Sequence, residues 1–385
     1  MPIVFVHGVA NRDGNAYREN AQGRDGFIRA IVAPALGIAP DSLSLLSPYW
    51  GQYGAEFAWN MAVLPSSGDK GESFGGDAES EARARVANLL AESGASGNIV
   101  SDAKRNFAEA VDLLYAAAMA SVTHEAAARE LAESYMASAD YAARNPQPEW
   151  LGTVKQENFV DQLLYVAESR GEESFGAGGI LDSIREGLSR IANAGQDVSS
   201  AVAGRLLRKN LNAAVTRFAG DAFVYLARRG TREAPGPIVT TVLEGLRKGR
   251  DARKEKDDKL IVIAHSFGGE IVYDIATYFD SSVEIDCLIT VGSQVGLFEE
   301  MKLYVASRPD LPPNPPAGRI VRPSSVKRWL NVFDTNDVLS YRLEPIISEV
   351  SDYHYDTGYS SLSAHSGYFM RPSFYRRMAA RLSGG

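Results

Sequence analysis

Apolar residues fall along this chain in two rhythms. Residues 3–6 and 260–263 are continuous apolar runs rich in β-branched side chains, and 285–292 predicts another buried strand. Such runs suit strands buried on both faces of a sheet. Residues 326–333 predict a further strand, and 43–46 a short one that leads into Pro48, Tyr49, Trp50 and Gly51. Helical spacing occupies 23–36, 221–229, 238–248 and the last segment, 371–382. It also marks the stretch from Gly269, through Ile271, Val272, Ile275 and Ala276. Strands alternating with helices predict a mainly parallel sheet covered by helices, an α/β fold.

Between about 56 and about 212 no strand pattern occurs. Apolar positions recur every three or four residues, as at Phe107, Val111, Leu114 and Tyr115, and again at Leu131, Tyr135 and Met136. Glycine-rich stretches near 66–76 and 171–179 separate the helices, and Pro146 and Pro148 break an Ala-rich one. The expected organisation is an α/β core made by 1–55 and 215–385. An all-helical insertion at 56–214 interrupts it and is expected to cap the carboxyl side of the sheet.

The junction after residues 260–263 must turn the chain sharply from strand to helix through Ala264, His265, Ser266, Phe267 and Gly268. Small residues two before and two after Ser266 let the backbones pass closely and leave the hydroxyl projecting from the turn. Amides opening the next helix face the same space. This is the pattern of a nucleophile elbow, with Ser266 as the nucleophile. Gly71 to Gly75 spell the same small-x-Ser-x-small string around Ser73, but a loop composition precedes it and no strand would hold the turn. Ser73 is therefore rejected. Gly8, following the strand at 3–6, exposes backbone amides at a strand's carboxyl end, the side where open parallel sheets bind ligands. The amides of Val9 and Phe267 are the expected oxyanion donors.

A serine hydroxyl needs a neighbouring base, and the base needs a carboxylate to orient it. The chain has five histidines. His7 and His265 adjoin Gly8 and Ser266 and are expected to shape the pocket, together with Gly8 itself and Ser293. His124 is expected mid-helix in the insertion, and His354 alternates with aromatics as on an edge strand. His365, among small polar residues in a loop before the last helix, is the expected base. Asp337 is the expected acid, because Asp334 directly ends the strand at 326–333 and can bond turn amides instead. Asp334 is the alternative, and Glu299 a third candidate.

Composition changes this picture little. The 385 residues are 45% hydrophobic and 23% charged, enough for a sizeable core. A formal net charge of -8 gives no attraction for nucleic acid or anionic lipid. The single cysteine, Cys287, fits a reducing compartment. No secretory leader pattern opens the chain, and the most apolar helical stretch, 108–122, carries Glu109 and Asp112 and is too short to span a bilayer. The expectation is a cytoplasmic protein without a transmembrane segment, with transient membrane contact left open. Neither cofactor nor metal is expected. Oligomeric state is not legible.

Val4 to Gly8, Ala264 to Gly269, Thr290 to Ser293, and Ala364 with His365 resemble the α/β-hydrolase superfamily on its lipase and esterase side. The resemblance covers 1–55 and about 215–385, not the insertion. It implies a triad in the order Ser266, Asp337, His365. It also implies cofactor-free ester hydrolysis through an acyl-enzyme, with a cap controlling access. Two departures stand out: Ala264 replaces the elbow's first glycine, and the chain opens at what would be the family's third strand, giving a reduced sheet. The expected substrate is a carboxylic ester, with acyl lipids suggested by the apolar stripes of the insertion. Alternatives are an amidase, thioesterase or acyltransferase on the same triad, or a catalytically silent fold serving as a binding module.

Overall fold

The computed structural model describes residues 1–62, 96–119, 122, 124–168, 179–197, 201–254, 258–313, 318–359 and 361–384. Ser73 and its surrounding string lie outside them. The chain forms two compact units. The first comprises Met1–Asp13, Leu43–Asp69 and Arg205–Asp356; the second comprises Gly14–Ser42, Lys70–Gly204 and Thr357–Gly385.

The strands of the first unit are β1 (Pro2–Val6), β2 (Ser44–Leu46), β3 (Ile261–His265), β4 (Cys287–Val291), β5 (Ile320–Val321), β6 (Trp329–Phe333), β7 (Ile347–Ser348) and β8 (Val350–His354). Six of them form one sheet in the order β2-β1-β3-β4-β6-β8, every neighbouring pair parallel. β5 and β7 make a separate parallel pair. The α/β class expected from the alternating pattern is present.

Side chains alternate between the two faces of a strand, and burial on both faces explains why β1 and the first residues of β3 read as apolar runs. Register pairs Val4 with Val262 and Val262 with Leu288. That face packs with Ile238, Val239, Val242 and Leu246 of helix Pro237–Asp251, and with Ile271, Val272 and Ile275 after β3. Ile3, Phe5, Ile261, Ile263 and Ile289, at the intervening positions, are buried too. Each such side chain taken from water contributes about 1.5–3 kcal/mol. Helix Pro237–Asp251 starts cleanly because Pro237 occupies a first-turn position, where its missing N–H leaves no bond unmade.

From β1 the chain goes to β2 on one side, returns to β3 on the other side of β1, and then continues outward through β4, β6 and β8. The strand order therefore reverses between β1 and β3. In open parallel sheets the crevice at the carboxyl ends of such a pair is the usual ligand site.

Among the described residues of the second unit the regular elements are all helices. Phe107–Met119 is buried nearly all round, and Tyr115 bonds Ser134 (2.6 Å) and Ser138 (3.0 Å) of helix Glu125–Arg144. Arg371, at the entrance to helix Pro372–Ser383, donates to Asp112 (2.5 Å) and Glu109 (2.7 Å).

Several boundaries differ from the sequence reading. The first helix is Asn15–Phe27, extended by wider turns to 35, and begins well before residue 23. Its first turns carry Arg18, Glu19, Asn20 and Gln22 and so show no apolar stripe. The stretch at 221–229 is the end of the long helix Ala201–Arg228.

Candidate active site

Ser266 follows the last residue of β3, at the carboxyl end of the strand pair where the order reverses. Its φ is +53°, a left-handed conformation that a non-glycine residue adopts only at a price of about 1–2 kcal/mol. Two backbone bonds hold it there. Ser266 N donates to Val291 O of β4 (2.9 Å), and Ser266 O accepts from Gly269 N (3.0 Å) in the helix Gly268–Asp274. That helix continues as wider turns through Ile275–Phe279. The turn is strand, strained serine, helix, as the sequence predicts.

Close packing accounts for the small residues. A Cβ on Gly268 would lie 2.4 Å from Val6 O and 2.9 Å from His7 O. A Cβ on Gly8 would lie 2.5 Å from Ser266 Cβ and 3.0 Å from its Oγ. The Phe267 side chain points away into the core, against Tyr225 (5.3 Å between ring centroids) and Phe298 (5.5 Å). Its burial anchors the amide that follows Ser266.

His7 is buried and stacks on Trp50, ring centroids 4.8 Å apart and 9° from parallel. Trp50 N donates to His7 Nε2 (3.1 Å). The proton is therefore on Nδ1, which donates to Gly8 O (2.8 Å). Trp50 Nε1 in turn donates to His7 O (2.9 Å). Asn11 Nδ2 reaches Gly8 O (2.9 Å) and Val9 O (3.2 Å). The backbone from 7 to 9 is thus gripped by side chains, and Gly8 lies against Ser266 while His7 O lies beside Gly268.

The acid candidates follow β6, two strands from β3. Both are buried, and both bond turn amides: Asp334 Oδ1 accepts from Asn336 N (2.9 Å) and Asp337 Oδ1 from Leu339 N (2.9 Å). The criterion used to set Asp334 aside thus applies to each. Glu299 is buried with its oxygens engaged by Lys302 (3.0 Å) and Ser307 (2.9 Å).

His354 ends the edge strand β8, exposed, 3.4 Å from Thr335 Oγ1. His124 is not mid-helix but caps helix Glu125–Arg144, accepting from Ala127 N (3.2 Å). His365 lies on a short helix, Ser361–Gly367, in the second unit, where the sequence suggested a loop. Its seven residues are mostly small and polar and present no apolar stripe to signal a helix.

Ser293 is fully buried behind the elbow helix, where its hydroxyl donates to Glu270 (3.3 Å). Glu270 was not singled out from sequence. It is fully buried, its Oε2 has no hydrogen-bond partner among the described residues, and burial pushes its carboxyl up to about 8. Asp221, Asn11 and Arg12 were missed as well. Asn11 and Arg12 carry one sequence signal, a polar cluster shortly after the His7 and Gly8 pair, and Asp221 carries none.

Among the described residues no group of three or more His, Cys, Asp or Glu is placed to hold a metal, and no helix is long and apolar enough to cross a membrane.

No family model matches the chain, and no solved structure matches it. Among curated proteins it is 28% identical over 114 residues to the Saccharomyces cerevisiae protein named probable phospholipase YOR022C, mitochondrial. The match takes in 29% of this chain and 16% of the yeast protein, so similarity extends over a minor part of each.

Proposed function

We propose that this chain is a serine hydrolase of the α/β-hydrolase type that cleaves carboxylic esters of acyl lipids. One observation carries the proposal. Ser266 is held at φ +53° between a parallel strand and a helix, against the backbone of Gly8, where the strand order reverses. Strain of this kind persists only where the surroundings over-determine it, and it clusters at reactive sites.

In the proposed reaction Ser266 Oγ attacks the ester carbonyl while His365 accepts its proton. Asp337 orients the imidazole, and the amides of Val9 and Phe267 hold the developing oxyanion. Protonated His365 gives its proton to the departing alcohol. Water activated by the same histidine then hydrolyses the acyl-enzyme. The partial similarity to a protein named as a probable phospholipase favours acyl lipids over small esters. On this reading the helical insertion selects the acyl chain.

A panel of esters from acetyl to palmitoyl, with a phospholipid, tests the substrate class. Hydrolysis is expected to rise with acyl length and to vanish in Ser266→Ala. Rates peaking at acetyl would refute the lipid assignment, and no hydrolysis of any ester would refute the activity.

A further inference from the structure

We infer that Asp221 is the positioning residue of the oxyanion loop, fixing the peptide planes on either side of Val9 through Ala10 and Arg12. The inference rests on the ester-hydrolase reading, in which Val9 N–H is one of the two oxyanion donors.

Asp221 lies on helix Ala201–Arg228 with its side chain fully buried. Oδ2 accepts from Ala10 N (2.8 Å) and Arg12 Nη1 (3.0 Å). Oδ1 accepts from Arg12 Nη2 (2.6 Å) and Ala55 N (2.6 Å). The Arg12 guanidinium is therefore held as a fork, and it also donates to Ala55 O (3.0 Å) and Asn11 O (3.3 Å). The bond to Asp221 raises the Arg12 pKa above its ordinary value. A buried carboxylate is tolerated only when its oxygens are satisfied, and here the loop after β1 supplies most of the donors.

This latch bears directly on one amide. Ala10 has φ +62°, a second left-handed non-glycine residue, and its N–H is the one bonded to Asp221. The plane between Val9 and Ala10 is thus fixed through that N–H and through Val9 O, which Asn11 holds. The plane between Gly8 and Val9 is fixed through Gly8 O by His7 and Asn11. In a trans peptide the N–H points opposite to the carbonyl, so these bonds set the direction of Val9 N–H. Among the described residues neither Val9 N nor Phe267 N donates a hydrogen bond. Both flanks of Val9 are tied down while its own amide is left for a ligand.

Such preorganisation acts on the tetrahedral intermediate rather than on the bound ester. Asp221→Asn keeps the shape and an acceptor oxygen but loses the charged fork. For this variant kcat on a chromogenic ester is expected to fall about tenfold or more, with KM within about twofold. A trifluoromethyl ketone, which adds to the serine as a tetrahedral oxyanion, should weaken by the same factor. The parent methyl ketone should not. A folded Asn variant with wild-type kcat, or one that weakens both ketones equally, overturns the inference. Should circular dichroism show that Asp221→Asn does not fold, Arg12→Lys keeps the charge and removes the fork. It should show the same selective loss on a smaller scale, and wild-type kcat in the folded Lys variant overturns the inference too. Wild-type protein that hydrolyses no ester would instead overturn the hydrolase reading itself.

Discussion

Gly8 packs so closely on Ser266 that a Cβ built on the glycine would stand 2.5 Å from the serine Cβ. Two residues 258 positions apart in sequence are brought together because β1 and β3 are parallel neighbours that both end at this level, Val6 opposite Ala264. Gly8→Ala should therefore disturb the elbow as well as the loop. Overpacking of this sort costs about 1–3 kcal/mol, visible as a lower melting temperature. Reaction with a fluorophosphonate should slow at least as clearly. An alanine variant with wild-type melting and labelling would show that the two backbones are free to separate.

The strain at Ser266 has its own signature. Serine and alanine both resist φ +53°, whereas glycine does not. Ser266→Gly should melt higher than Ser266→Ala, by about 1 kcal/mol, the reverse of the order at an ordinary position. Equal stabilities would mean that the serine relaxes in solution.

Glu270, four residues after the nucleophile, should make stability depend on pH. Its carboxyl is raised from 4.5 to about 8 by burial. Below 4.5 both folded and unfolded chains carry the proton; between 4.5 and 8 only the folded chain does. The stabilisation is present at low pH and is lost as pH rises through about 8. Thermal melts of Glu270→Gln against wild type should show the variant gaining relative stability from about pH 5 to about pH 8. A constant difference would show that Glu270 titrates normally.

His7 should behave as a support and not as the base. His7→Leu leaves Trp50 N–H without its partner and Gly8 O with Asn11 alone, a loss of about 1–3 kcal/mol in melting experiments. Its kcat should fall while the shape of the pH–rate profile stays that of wild type. Disappearance of the acidic limb in this variant would make His7 the proton acceptor.

How much of this was legible beforehand depended on how simply burial writes itself into sequence. β1, β3 and β4 are covered on both faces, so their residues are nearly all apolar and their positions were clear. β8 has mixed exposure in Val350, Ser351, Asp352, Tyr353 and His354, and only a hint of an edge strand survived. The elbow could be read because strand, small residues and helix follow one another locally. Asp221 could not, because its partners at 10, 12 and 55 are distant in sequence and nothing near it marks a buried carboxylate. Glu270 was hidden for a similar reason: an acidic residue in a helical pattern reads as a water-facing position, whereas every residue of Gly268–Asp274 is buried.

The central claim is that Ser266 is the nucleophile, and site mapping of a covalent adduct tests it most directly. Native protein treated with a fluorophosphonate, digested and analysed by mass spectrometry should carry the adduct on the peptide containing Ser266. Labelling should be absent from Ser266→Ala. An adduct on a different serine, or undiminished labelling of Ser266→Ala, would contradict the account.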